Sequence, residues 1–339
     1  MPGVIANRLF PILQLTRMAL VFTAISNALC TLMLWQSRRL GGERLGLGML
    51  DWRLGIVMAL VSTGLYGFGM SLNDIIDRRR DTQISPNRPL PSGRIGVATA
   101  HLICALLIGL AVAAGWMYAQ MSGLGWMSLV LVVWTAGLII FYDLAAKYLV
   151  ALGLLSLGLI RFFHAIIPAP QLPLLWHPLL LLNHVTILSL VAYRWEEKRP
   201  ALSPIHWTGV IGGLAGCNML LIGLMIWRRG HWPPEEARGL WITPALIAPA
   251  AAALLFAALG WLIRRKSATA REAGQRLMLY GLLWLIVYDF AFAAGYVGLG
   301  PAFALLALLP LAYASVQVMR WWSGMVALSQ RPQFKRIET

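Results

Sequence analysis

Long apolar runs alternate with short polar breaks from one end of the chain to the other. The runs fall at about 16–35, 54–73, 97–119, 123–142, 148–168, 176–194, 207–228, 241–263, 275–297 and 301–322. At 1.5 Å rise per residue each is long enough, as a helix, to cross about 30 Å of hydrocarbon. The pattern predicts an all-α membrane protein, a bundle of nine or ten transmembrane helices. It leaves no room for a separate soluble unit, so residues 1–339 read as one membrane-embedded domain. Gly298, Gly300 and Pro301 interrupt the last two runs, which form either an out-and-back hairpin or one kinked segment.

Two polar breaks stand out by their positions. One follows the second run (74–94) and the other follows the sixth (195–206), four helices later, and the first helix of each group of four carries an arginine, Arg17 or Arg161. This spacing points to a coarse repeat with both polar loops over a central cavity.

Composition agrees with a bilayer location. Hydrophobic residues make up 59% of the chain and charged residues 12%, and the mean hydropathy is +0.71. The net charge of +15 resides in short loops between apolar runs. That is the signature of topology by the positive-inside rule and not of a compact basic domain, so nucleic acid is not an expected partner. With the amino terminus inside, the inner segments carry twenty lysines and arginines against seven outside, and the 74–94 loop faces the cytoplasm. Arg38 and Arg39 lie on the outer side. The start, MPGVIANRLFPILQLTR, lacks the layout of a removable signal peptide, so the first helix is expected to act as the targeting element. Cys30, Cys104 and Cys217 fall in apolar helices at unrelated spacings and read as small buried hydrophobes.

The scarce charge is concentrated in SLNDIIDRRRDTQISPNRPLPSGR, residues 71–94. Six aspartates serve the whole chain, and Asp74, Asp77 and Asp81 fall within eight residues of it. Asn73, Asp77 and Asp81 are spaced i, i+4, i+8 and share one face of a helix leaving the membrane, with Asp74 beside Asp77. Converging hard oxygens suit Mg²⁺, which keeps waters and is completed by substrate phosphates. Arg78, Arg79, Arg80, Arg88 and Arg94 alongside suit phosphate oxygens. A diphosphate site and a merely solvated juxtamembrane loop both fit these residues.

The segment Asn73 to Asp81, NDIIDRRRD, followed by NRPLPSGR to Arg94, resembles the first signature of the UbiA superfamily of intramembrane, often aromatic, prenyltransferases. The resemblance implies a helical bundle around a central cavity and a Mg²⁺-bound isoprenyl diphosphate with its tail in a lipid-facing tunnel. It assigns Asn73, Asp74, Asp77 and Asp81 to metal binding and Arg88 to the diphosphate. A second family element, tyrosine then lysine after the fourth helix, is matched by Tyr142 and Lys147, spaced five apart instead of the usual four. Lys147 is then a diphosphate contact, and Tyr142 and Lys147 join Asp74 and Asp77 as catalytic candidates.

The family's second aspartate motif is missing after the sixth run, where YRWEEKR stands, residues 193–199. Glu196 and Glu197 could substitute as metal ligands, Arg194 could replace a second metal as a fixed positive charge, or the site is degenerate. Arg161 and Asp289 are intramembrane charges that need a partner or a polar cavity. Arg161 is a further diphosphate candidate, whereas Asp289 reads as a helix–helix contact. Asn27, Asn183, His164 and His184 fit either an acceptor pocket or interhelical hydrogen bonds.

The expected function is transfer of an isoprenyl group from its diphosphate to a lipophilic or aromatic acceptor at a bacterial cytoplasmic membrane, the site facing the cytoplasm. Asp143, Glu196 or Glu197 would take the released proton. A non-catalytic isoprenoid-binding homologue and a transporter for an isoprenoid or anion are the other readings.

Overall fold

A computed structural model describes residues 4–40, 44–173, 175–229 and 243–329, and every regular element among them is a helix. In chain order these are α1 (Val4–Leu15), α2 (Val21–Arg39), α3 (Trp52–Ile76), α4 (Arg78–Ile84), α5 (Val97–Ser122), α6 (Met127–Leu144) and α7 (Val150–Ile166). Then follow α8 (Trp176–Trp195), α9 (Pro204–Arg229), α10 (Ile247–Lys266), α11 (Ala270–Tyr296), α12 (Leu299–Leu306) and α13 (Leu308–Ser329). Nine helical segments among the described residues are long and apolar enough to span a bilayer, and α7 is a shorter apolar helix. The expected start of the eighth run at 241, and Arg238, Arg331, Lys335 and Arg336 of the charge pattern, lie outside the described residues, as do the side chains of Arg8 and Arg229.

Two helices depart from the expected pattern. Residues 4–15 form α1 despite Pro11 in the middle, and the helix expected to carry Asn73, Asp77 and Asp81 runs on past Asp81 as α4 to Ile84, within the stretch 74–94 otherwise read as a loop. Backbone bonding does not lapse there: the Asp77 amide donates to Asn73 O at 2.9 Å, and the Asp81 amide to Asp77 O at 2.9 Å. Arginine and glutamine are good helix formers, so charge density disguises a helix as a loop. The last two runs are separate segments that pack against each other, as in the out-and-back alternative: α11 ends at Tyr296, Gly298 takes φ 153°, and the last run, Leu299–Gly324, is itself broken at Ala307 between α12 and α13.

Burial divides the helices into two sets. α2, α3, α8 and α11 bury most of their apolar windows, 72% for α2, whereas α5, α9 and α10 bury little, 17% for α9. Exposed Leu102, Leu106, Met219, Leu220, Leu254 and Leu255 give that outer set an apolar surface suited to lipid. The inner set packs closely because small residues permit it. A Cβ on Gly64 would stand 2.7 Å from both Ala111 N and Leu107 O, so α3 and α5 meet backbone to backbone there. Between α2, α3, α6, α7, α8 and α11 this leaves a chamber.

Candidate active site

Helical continuity from α3 into α4 puts Asn73, Asp77 and Asp81 on one face, as the spacing requires. Asp74, Asp77 and Asp81 are buried, at 4%, 5% and 3% exposure, and each is met by cations from elsewhere in the chain. Asp74 Oδ1 accepts from Arg17 Nη2 at 3.2 Å and lies 3.6 Å from Arg88 Nη1. Asp77 pairs with Lys147 at 2.9 Å and Arg80 at 2.7 Å, and Asp81 pairs with Arg88 at 2.5 Å. Carboxylates held inside a membrane protein in this way are stable only because their charge is matched.

Local breaks in the helices deliver those cations. Arg17 has φ 46° and ψ 38°, a left-handed conformation unusual for a side-chain-bearing residue, and it joins α1 to the short turn before α2. Its guanidinium thereby reaches Asp74. α6 ends at Leu144 and a tighter turn, Ala146–Tyr148, carries Lys147. On an unbroken helix, positions five apart point about 140° away from each other. The break at Ala145 reconciles the spacing of Tyr142 and Lys147, since both line the same cavity. Arg88 belongs to the turn after α4, where Ser92 Oγ donates to Arg88 O at 2.7 Å and Gly93 takes φ 72°. Arg94 is occupied within that turn, bonded to Gln14, Ser92 and Asn87 O.

The Lys147 ammonium sits where three oxygens converge: Asp77 Oδ1 at 2.9 Å, Asn73 Oδ1 at 3.3 Å and Asp143 Oδ1 at 3.4 Å. A cation is thus already held by an all-oxygen donor set, the chemistry that hard Mg²⁺ prefers. Asp74, Asp77 and Asp81 fit such an ion as ligands. Among the described residues the three do not draw their oxygens into one tight cluster, because each is engaged by its own arginine or lysine.

Two connected cavities meet at this face. The mouth, about 730 Å³, is lined by Asn73, Asp77 and Asp81 on one side and by Tyr193, Lys198 and Arg199 on the other, so the two polar loops do share one opening. Arg17, Arg80, Arg88, Lys147, Lys198 and Arg199 outnumber its two aspartates, and its field favours a polyanion. The inner chamber, about 310 Å³, is mostly apolar and shares Arg17, Asn73, Tyr142, Ser189 and Met278 with the mouth. Asp143 is the one carboxylate among its lining residues.

The residues of the second loop do not all arrive. Arg194 is exposed and lies over the Trp207 ring at 5.7 Å, directed toward α9. Glu196 pairs with Lys198 at 3.1 Å and packs where a side chain on Gly274 of α11 would stand. Glu197 is exposed, with φ 53°. None of the three lines the mouth or the chamber, and Lys198 and Arg199 do so in their place. Sequence reading passed over these two because their carboxylate neighbours drew attention. It also took Arg17 as a topology charge and a mark of the repeat without assigning it to the site; its place in an apolar run was the available signal.

Arg161 lines the inner chamber beside Tyr66, whose ring lies 5.9 Å from its guanidinium, and not the mouth. Tyr66 precedes Asp77 by eleven residues, about 16 Å along the helix at 1.5 Å each. Asp289 is a helix–helix contact: it accepts from Asn27 Nδ2 at 2.8 Å and meets His177 Nε2 at 2.6 Å. Cys30, His177 and Asp289 form the one group of three potential metal-binding side chains among the described residues, already satisfied by mutual bonds. Asn183 exchanges hydrogen bonds with Asn218, and His184 meets Gly281 O and Tyr288. The cysteines are all free.

Residues 46–169 match the family model described as the UbiA prenyltransferase family. No curated protein sequence matches. Among solved structures, one of a digeranylgeranylglyceryl phosphate synthase in membranes superposes with a TM-score of 0.57 at 18% identity, covering 86% of this chain and 99% of that one. A UbiA homolog from Archaeoglobus fulgidus, bound to GPP and Mg²⁺, gives 0.41 at 11% identity over 91% of this chain and 99% of its own. At such identities the first likeness establishes the fold, an all-helical bundle of UbiA type.

Proposed function

We propose that this chain, whose residues 46–169 match the UbiA prenyltransferase family model, is an integral membrane prenyltransferase that moves an isoprenyl group from its diphosphate to a lipophilic or aromatic acceptor. The observation that carries this reading is the cationic mouth at the end of an apolar chamber, with buried Asp77 and Asp81 on the wall of the mouth. A charged head group and a greasy tail would each find matched surroundings.

Mg²⁺, when bound to the oxygens of Asn73, Asp74, Asp77 and Asp81, would neutralise diphosphate charge as the leaving group departs. The chain's own cations do the rest. Arg88, Arg17 and Lys147 approach from one side, Lys198 and Arg199 from the other, and together they stabilise negative charge building on the diphosphate as the carbon–oxygen bond breaks. The apolar chamber keeps water from the resulting allylic cation. An acceptor carbon or oxygen attacks that cation, and its proton passes to a base; of the three carboxylates considered, Asp143 is the one facing the chamber. Tyr142 lines both cavities at the point where the two substrates would meet. Fixed cations on the second loop replace a second metal, with Lys198 and Arg199 in the role first given to Arg194. The site would face the cytoplasm, as the charge bias of the loops favours.

The absence of carboxylates from the second loop's cavity-facing positions also suits a homologue that binds isoprenyl diphosphate without turnover. Purified protein in lipid, given Mg²⁺, a panel of isoprenyl diphosphates and aromatic or lipophilic acceptors, separates the two. Diphosphate release with a prenylated product, abolished in Asp77→Ala, is the expected result. Binding without product across the panel would overturn the enzyme reading.

A further inference from the structure

Beside the diphosphate mouth lies a third cavity, about 750 Å³, that none of the proposed steps uses. Residues of α1, the turn after α4, α11 and α13 line it. Asp74 faces this cavity and, unlike Asp77 and Asp81, does not line the mouth. From the last apolar run, α13 contributes Val316, Met319, Arg320 and Ser323, whose i, i+3, i+4, i+7 spacing makes one stripe of the helix a wall.

Contacts between the two ends of the chain hold that wall in place. Gln14 Nε2 donates to Ser323 Oγ at 2.8 Å, and the rings of Phe10 and Trp322 stack with centroids 4.2 Å apart. Gln14 Oε1 also accepts from Arg94 Nη1 at 2.9 Å, so α1 is tied both to α13 and to the turn that carries Arg88. One helical turn before Val316, Ala312 is fully buried in a cluster with Leu283 and Ile286, which bounds the cavity in depth.

The lining is cationic and amphipathic. Arg17, Arg88 and Arg320 share it with a single carboxylate, Asp74, which Arg17 and Arg88 already engage. Arg320 is exposed and has no hydrogen bond or ion pair among the described residues. Its guanidinium adds to a surplus of positive charge that favours an anion. Along α13 the wall passes from apolar Val316 to polar Arg320 and Ser323 within about 10 Å, and Leu20 and Leu279 add apolar surface. A free inorganic anion would use only part of such a lining. Basic pockets between helices at the cytoplasmic side of a membrane protein suit the head groups of anionic lipids.

We propose that this side cavity is a site for an anionic phospholipid of the bilayer, with its phosphate on Arg320 and its proximal chain against Leu20, Leu279 and Val316. The bound lipid is neither isoprenyl donor nor acceptor, and its binding is independent of isoprenyl transfer. It adjoins the mouth through Arg17 and Arg88, which line both cavities.

Native mass spectrometry of the full-length protein, released from nanodiscs of equal phosphatidylglycerol and phosphatidylcholine, reads the lipid that stays bound. The parent should retain one phosphatidylglycerol with a preference of about tenfold over phosphatidylcholine, the scale of one charge-assisted hydrogen bond. Arg320→Gln should bring the ratio to within about twofold of parity and Arg320→Lys should keep part of the preference. Arg265→Gln, which removes an exposed arginine of α10, should leave the ratio unchanged. Equal retention of the two lipids by the parent, or a preference that survives Arg320→Gln, would overturn the site. An equal fall in Arg265→Gln would also overturn it, since the attraction would then belong to the whole basic face. Inorganic phosphate added before release should not displace the lipid; displacement would assign the cavity to a free anion instead. Geranyl diphosphate with Mg²⁺ should bind Arg320→Gln within about twofold of the parent. Loss of that binding with the lipid preference intact would place Arg320 in the diphosphate mouth and remove the lipid site.

Discussion

The two polar loops face each other across one opening, yet they are built on opposite principles. The first buries three aspartates and surrounds them with arginine and lysine; the second keeps its glutamates outside and turns Lys198 and Arg199 inward. A leaving diphosphate needs positive charge from both directions. A metal held by carboxylates can provide it on one side, and side-chain cations can provide it on the other without any ligand set. Loss of acidic residues from one arm therefore need not mean loss of chemistry, provided that cations are carried to the same place.

Mutations can break this asymmetry, and the largest effect belongs to the first loop. Asp77→Ala removes a proposed metal ligand and leaves Lys147 and Arg80 without their shared partner. Diphosphate release should fall by about a thousandfold, the upper range for losing one preorganised charge-stabilising group. On the second loop, Lys198→Ala combined with Arg199→Ala should lower kcat/KM for the isoprenyl diphosphate by about ten- to a hundredfold, with the remainder sustained by Arg17, Arg88 and Lys147.

Asp289→Ala offers a contrast from outside the site. It leaves Asn27 Nδ2 and His177 Nε2 without their partner in the core and should lower stability by about 2 kcal/mol, read as a fall in Tm, with turnover of the folded fraction reduced less than in the double mutant. The smallest effects should come from Arg194→Gln and Glu197→Gln. Both side chains are exposed and point away from the mouth, and turnover should stay within about twofold of the parent. A hundredfold loss in either would mean that the second loop contacts substrate through its other face.

Much of this was legible from residue spacing. Among the described residues the ten apolar runs correspond to nine segments long enough to span and the shorter α7, because length and hydropathy are what a bilayer selects for. The shared face of Asn73, Asp77 and Asp81 follows from helical periodicity, which α4 preserves through its charged sequence. What spacing does not reveal is set by tertiary geometry. Arg17 reaches Asp74 through a left-handed backbone that no neighbouring glycine announces. Lys147 joins Tyr142 only because α6 breaks at Ala145. On the second loop, the choice between Arg194 and Arg199 depends on how α8 ends, and a shift of about half a turn exchanges the cavity-facing side for the exposed one. Arg161 was recognisable as an intramembrane charge, but its depth in the chamber depends on where α7 packs against α3.

The number of divalent ions bound per chain tests the asymmetry most directly. Mn²⁺ titrated into the lipid-embedded protein with saturating geranyl diphosphate, counted by electron paramagnetic resonance, should saturate at one ion. That ion should be lost in Asp77→Ala and kept when Glu196 and Glu197 are changed to glutamine. Two ions per chain, one of them surviving Asp77→Ala and lost with the glutamates, would contradict the division between a metal-binding arm and a cationic one.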